Sequence, residues 1–137
     1  MLALAPAYNV MTEDMTAYEI TDTPLAAIRG TCDGQVGREA LSFAADATAG
    51  SSAGFHSFEM RGANHDYFNT HWSPESGEVA ARDDAGRPGQ CTEPGGSTFE
   101  TQLSEAAQRR AGAVYIAAFF RRYPTGGERF EAVTTGG

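Results

Sequence analysis

Lysine is absent from this chain, and all ten of its cationic residues are arginines. Eighteen acidic residues outnumber them and give a formal net charge of −8. There is no basic stripe that would neutralise phosphates, which argues against a nucleic acid as partner. No apolar run approaches the roughly 18 residues of a membrane-spanning helix, so we also predict that no segment crosses a membrane.

The length of 137 residues fits one domain, and we treat residues 1–137 as a single unit. Glycine and proline are concentrated in two stretches, Ser73–Gly96 and the residues after Pro124. The opening segment Met1–Ala7 is too short for a signal peptide and lacks the basic start of one. It is typical of a buried strand, so we expect either an internal start or a truncated chain.

Three apolar segments predict strands, and two helical patterns lie among them. The strands are expected at Leu2–Ala7, Leu25–Arg29 and Phe55–Met60, and the helices at Arg38–Ala49 and Glu105–Tyr123. Because a helix separates the second strand from the third, a parallel crossover is favoured. The fold class is therefore α/β, with parallel strands and flanking helices.

The C-terminal helix has the clearest pattern in the chain. Ser104 is a suitable N-cap, and Arg121 and Arg122 suit the helix dipole in the last turn. The expected buried stripe is Ala107, Ala111, Val114, Tyr115, Ala118 and Phe119. A solvated face explains the arginines on its polar side, although a basic patch for a partner is the alternative.

Two regions are expected to be less regular. From Gly62 to Thr98 the pattern predicts a long loop without a helix or strand. Phe130–Val133 is a candidate for a short strand, and residues 124–137 are then the start of a missing C-terminal extension.

Two predicted strands end in similar loops that carry reactive side chains. Gly30-Thr31-Cys32-Asp33 follows the second strand, and Gly62-Ala63-Asn64-His65 follows the third. A side chain on a loop just past a strand end can point into a crevice. Asp33 and His65 therefore supply two thirds of a Ser-His-Asp triad, with His65 as general base and Asp33 as the group that orients it. The alternatives are a turn or helix-capping aspartate and a loop histidine bonded to backbone.

This order of strand, G-T-C-D, helix, strand, G-A-N-H, long loop and helix resembles the C-terminal half of an α/β-hydrolase. The likeness is to the secreted actinobacterial esterase and lipase-like branch, and it covers residues 2 to about 123. The resemblance implies serine-dependent hydrolysis of a carboxylic ester through an acyl-enzyme, with a small-molecule or a lipid- or polyester-type ester as the substrate of the intact enzyme. It also implies that the nucleophile and the oxyanion donors come from an N-terminal half that this chain lacks. We expect a hydrophobic wall near the site from Tyr67, Phe68 and Trp72.

The resemblance to secreted enzymes favours a disulfide between Cys32 and Cys91, the only cysteines, and an extracellular location. The alternative is a pair of buried thiols. A disulfide of that span would tie the Asp33 loop to the long loop after His65 and contribute about 4 kcal/mol.

Ser52 raises the question of a nucleophile within the chain, because residues 50–54 match G-x-S-x-G. A nucleophile elbow joins a strand to the helix that follows it, whereas this motif follows a helix and leads into a strand. The chain order is also wrong, since the serine should precede the aspartate. We therefore interpret Ser52 as a linker serine.

A metal site built on His65, Asp66 and His71 is disfavoured, because their spacing matches neither a helical H-E-x-x-H pair nor a zinc finger. We predict neither a metal nor a cofactor for this chain.

The alternative function is a non-catalytic structural or binding module that keeps half of the hydrolase fold. Half a sheet exposes an unpaired edge, which favours dimerisation or a missing partner segment.

Overall fold

The computed structural model describes residues 1–6, 19–37, 39–73, 76, 91–92, 99–128 and 131–135. It contains a three-stranded parallel sheet in the order β1 (Leu2–Leu4), β2 (Leu25–Gly30) and β3 (Phe55–Met60). Helix α1 spans Glu39–Ala47 and helix α2 spans Glu105–Arg122. The predicted mixed α/β class, with parallel strands, flanking helices and a long C-terminal helix, is therefore confirmed.

The central strand β2 is buried along its whole length, which is expected of a parallel strand covered on both faces. Successive side chains of a strand point to opposite faces, so β2 contributes to two apolar clusters. On one face Leu25 and Ala27 pack with Ala44 of α1. On the other face Ile28 packs with residues that include Tyr115 of α2. The helices thus lie on opposite faces of the sheet.

Helix α2 begins as its sequence predicts. The Ser104 hydroxyl accepts a hydrogen bond from the Ala107 backbone N–H at 3.3 Å, which satisfies one of the donors left open at a helix start. The predicted stripe is partly wrong, however. Ala118 and Phe119 are buried, but Val114 is 58% exposed, and the buried positions of the first turns are Gln108 and Gly112.

The strand predicted at Phe130–Val133 is wrong. Residues Glu131–Thr135 form a short helix, α3. Glu131 lies in its first turn, where a carboxylate suits the helix dipole, and its Oε1 atom lies 3.1 Å from Nη2 of Arg122. A segment of four residues carries too little periodicity to distinguish a strand from a helical turn.

The long region from Gly62 to Thr98 also contains short elements that the pattern did not predict. A 3-10 turn covers Asp66–Phe68, and β4 (Cys91–Thr92) pairs antiparallel with β5 (Phe99–Glu100). Two-residue strands carry too little periodicity to be detected in a sequence.

No helix in the described part of the chain is long and apolar enough to cross a membrane.

Candidate functional site

Asp33 and His65 lie together at the carboxyl edge of the sheet. Asp33 follows β2 and His65 follows β3, and the two strands are parallel neighbours in which Gly30 pairs with Met60. Their ends therefore meet at one edge, where open α/β sheets bind ligands. The Nδ1 atom of His65 lies 3.2 Å from Oδ2 of Asp33.

Each oxygen of the Asp33 carboxylate has its own partners. Oδ1 accepts the backbone N–H groups of Gln35 at 2.9 Å and Val36 at 2.7 Å. Oδ2 faces His65, and the Asp33 side chain is fully buried, whereas that of His65 is 17% exposed. The backbone bonds hold the carboxylate in one orientation, so the imidazole meets an acceptor that is already in place.

The loop that carries Asp33 is itself held by a buried arginine. Arg29 donates from Nε to the Val36 carbonyl at 2.8 Å and from Nη1 to Glu59 Oε1 at 2.9 Å. The Val36 backbone thus joins two partners, since its N–H donates to Asp33 and its carbonyl accepts from Arg29. Glu59 lies opposite Arg29 in the β2–β3 register and compensates the buried charge.

The loops of Asp33 and His65 are bonded directly to each other. Cys32 donates its backbone N–H to the Ala63 carbonyl at 2.8 Å. The Thr31 hydroxyl accepts the Gly62 N–H at 2.9 Å. Gly30 allows this approach, because a Cβ atom there would lie 2.1 Å from the Ala63 oxygen.

The His65 loop is attached to α2 through a buried glutamine. Gln108 accepts the Asn64 backbone N–H at 2.9 Å and donates to the Asn64 carbonyl at 2.8 Å. Both side chains are fully buried. The glutamine amide thus pairs with the backbone N–H and carbonyl of the residue immediately before His65, as a residue of a neighbouring strand would.

The residues after His65 form the 3-10 turn. Asn64 Oδ1 accepts the Tyr67 backbone N–H at 2.9 Å, which bridges the start of this turn. Phe68 packs on the sheet face beneath α2, and the Gly112 position of α2 lies beside its ring. Tyr67 is half-buried. Of the three residues expected to form a hydrophobic wall, Phe68 therefore belongs to the core.

Trp72 lies beside the His65 ring. The two ring centroids are 6.2 Å apart and the planes are within 9° of parallel, so the rings stack with an offset. Trp72 is 47% exposed. An exposed indole at the imidazole offers apolar surface to a ligand that reaches His65.

Ser52 lies away from this edge. It sits in the turn before β3, whereas His65 follows β3, so the six-residue strand separates them. At about 3.3 Å per residue this corresponds to roughly 20 Å.

In the described residues, no group of three or more His, Cys, Asp or Glu side chains is arranged to hold a metal ion. His71 is exposed, while Asp66 is buried and accepts from Gln35 Nε2 at 3.5 Å.

The predicted Cys32–Cys91 disulfide stays a prediction, because the Cys91 side chain lies outside the described residues. Cys32 itself is buried beside Asp33.

His56, at the other end of β3, has a different environment. Its Nε2 atom contacts the Tyr123 hydroxyl just beyond α2. Partial burial, reinforced by the positive charge of Arg122, lowers the pKa of His56 from its ordinary value of 6.5.

Sequence reasoning missed Arg29 and Gln108. Gln108 carried a signal, since it lies four residues before the buried Gly112 and three before Ala111, in line with the inward stripe. A polar side chain at such a position indicates a buried hydrogen-bond partner.

Comparisons of the chain with models of known protein families, with curated proteins and with solved structures found no match.

Proposed function

We propose that this chain supplies the acid–base half of a serine-dependent carboxylic ester hydrolase with an α/β-hydrolase fold. The observation that carries the proposal is the contact between His65 Nδ1 and the buried Asp33 carboxylate at the carboxyl edge of a parallel sheet. A carboxylate at one imidazole nitrogen fixes the tautomer and stabilises the imidazolium that forms during reaction.

In the proposed reaction His65 acts as the general base. Its Nε2 atom takes the proton of a serine hydroxyl while the serine oxygen attacks the ester carbonyl carbon. The same nitrogen then returns the proton to the departing alkoxide, which leaves as an alcohol. Water, deprotonated by His65, releases the acid from the acyl-enzyme and regenerates the serine.

The serine and the oxyanion donors are proposed to come from a polypeptide segment outside these 137 residues. Ser52 is unsuitable, because β3 separates it from His65. Two observations support the α/β-hydrolase assignment: the order β1-β2-β3 of parallel strands, and the placement of the acid and the base after consecutive strands. The order Asp before His also agrees with that fold.

Trp72 is proposed to contact the ester substrate, since its exposed ring lies directly at the imidazole. An extracellular location is proposed from the resemblance to secreted enzymes and from the cysteine pair.

The test is to express the reading frame that contains this chain, with the in-frame coding sequence around it, and to measure hydrolysis of p-nitrophenyl esters. We expect His65→Ala to abolish hydrolysis. His71→Ala is the matched control, because His71 lies six residues further along the chain and is exposed. Unchanged hydrolysis in His65→Ala, or an activity of the 137-residue chain that Ser52→Ala abolishes, would overturn the proposal. Absence of hydrolysis from every form would favour the binding-module alternative.

A further inference from the structure

Gln108 lies outside the proposed catalytic pair but is attached to the residue next to it. Its side-chain amide makes two hydrogen bonds to the backbone of Asn64, one through each polar atom, at 2.9 Å and 2.8 Å. Both bonds are buried, so neither group can exchange its partner for water. A buried N–H or C=O without a partner is costly, which makes this arrangement strongly preferred over alternatives.

The attachment point determines where the imidazole can lie. The Asn64 carbonyl, which accepts from Gln108, belongs to the peptide that joins Asn64 to His65. The plane of that peptide constrains the direction in which the His65 side chain leaves the backbone. Asn64 also uses its own Oδ1 to hold the Tyr67 N–H on the far side of His65. His65 therefore stands between two backbone positions that are fixed through Asn64.

The hydrogen bonds of the sheet alone do not fix the backbone next to His65. β3 ends at Met60, four residues before Asn64, and the ladder to β2 ends at the same point. Beyond it the Ala63 carbonyl accepts from Cys32, and the N–H of the same peptide, that of Asn64, donates to Gln108 of α2. The next peptide, between Asn64 and His65, is held through its carbonyl by Gln108. The Gln108 side chain thus hydrogen-bonds the backbone between the end of β3 and His65, where the strand ladder has ended.

We propose that Gln108 is a positioning residue, which keeps His65 Nδ1 directed at Asp33 Oδ2 by holding the backbone N–H and carbonyl of Asn64. The effect of Gln108 on catalysis rests on the proposed function, in which His65 is the general base. The proposal states that the Gln108 side chain determines the tautomer of the His65 imidazole. That tautomer can be measured without any substrate.

The first experiment is NMR of the full chain labelled with ¹⁵N at histidine, with the His65 signals assigned from their loss in His65→Gln. In the native chain we expect the proton on Nδ1, hydrogen-bonded to Asp33. Gln108→Met keeps the side-chain volume and removes both bonds, so we expect loss of the single Nδ1–H tautomer. A His65 spectrum identical to that of the native chain in folded Gln108→Met would overturn the inference.

Phe119→Leu is the matched control, because Phe119 is buried in the same helix but packs on Tyr123 and Phe120, away from the His65 loop. It should lower the free energy of unfolding and leave the His65 tautomer unchanged. If it alters the tautomer as much as Gln108→Met does, general destabilisation explains the effect and the positioning role is lost.

Gln108→Glu provides a second variant if Gln108→Met does not fold. A carboxylate still accepts the Asn64 N–H but cannot donate to the Asn64 carbonyl. We expect partial loss of the Nδ1–H tautomer, and an unchanged tautomer would contradict the proposal.

In the ester-hydrolysis assay, Gln108→Met should lower kcat by about 10²-fold, as expected for a misplaced catalytic group, with little change in KM. The failures are distinguishable. If the tautomer responds but no hydrolysis exists, the proposed function fails. If hydrolysis exists but neither kcat nor the tautomer responds to Gln108→Met, the inference about Gln108 fails.

Discussion

The two ends of β3 each present a histidine, and their surroundings differ in charge. His65 beyond the carboxyl end faces the buried carboxylate of Asp33, whereas His56 near the amino end faces the Tyr123 hydroxyl and the positive charge of Arg122. Partial burial and the neighbouring cation disfavour the imidazolium form of His56. The two histidines of the strand thus have different charged neighbours, and only His65 is proposed to transfer protons.

The two ends also differ in how closely neighbouring backbone segments approach each other. At the carboxyl end the loops of Asp33 and His65 are bonded to each other, to Arg29 and to Gln108. At the amino end a Cβ atom added at Gly50 would contact nothing within 4 Å. A constrained carboxyl edge is what a preorganised site requires.

The largest effect is expected from Asp33→Asn. The amide oxygen keeps the bonds to Gln35 and Val36, which leaves its NH₂ group facing His65 and favours the wrong imidazole tautomer. We expect kcat for ester hydrolysis to fall by about 10⁴-fold, as in other triads. Asp22→Asn, at an exposed acid near the amino end of β2, is the control and should retain activity. Equal losses of kcat in Asp33→Asn and Asp22→Asn would show that the acid at the carboxyl end has no special role.

The next effect concerns the predicted disulfide at the carboxyl end. Cys91→Ser should lower the free energy of unfolding by about 4 kcal/mol in the chain-entropy model, measured by urea denaturation without reductant. Adding reductant should destabilise the native chain by a similar amount and leave Cys91→Ser unaffected. Two titratable thiols in the native, unreduced chain would show that the bond does not form.

A smaller effect is expected from one added methyl group. Gly30→Ala places a Cβ atom against the Ala63 carbonyl, and neither backbone can move without breaking the bonds between the two loops. We expect a loss of about 3 kcal/mol in the free energy of unfolding, the upper end for overpacking. Gly50→Ala is the matched substitution at the amino end and should change stability by no more than about 0.5 kcal/mol. Similar losses would mean that the two ends are equally constrained.

The smallest effect is the pH dependence that His56 contributes. Because its pKa is lowered in the folded protein, the unfolded chain binds the proton more readily. The stabilisation is present above pH 6.5, the ordinary value, and is lost as the pH falls from there through the lowered pKa. Unfolding curves of the native chain and His56→Phe at several pH values measure the difference, which should shrink as the pH falls. A difference independent of pH would contradict the assignment.

The strands and the main helices were predictable because their signals are local. Phe55–Met60 was placed at its observed bounds, and α2 differs from its prediction only at Tyr123. The short strand expected at Phe130–Val133 was wrong because so short a segment carries a weak periodic signal; Glu131–Thr135 form a helix. Val114 was misplaced because a helical pattern does not show which of two adjacent stripes meets the sheet.

The sequence by itself determined that this chain has parallel strands, helices between and after them, and loops that carry Asp33 and His65 past two strand ends. These features depend on side-chain periodicity and on turn residues, which act within a few positions of the chain. Only the tertiary structure decided that β2 and β3 are neighbours, that Oδ2 of Asp33 meets Nδ1 of His65, and that Gln108 turns inward to Asn64. Such contacts join residues 32 and 44 positions apart, and they form only because burial of the sheet between its helices brings those segments together.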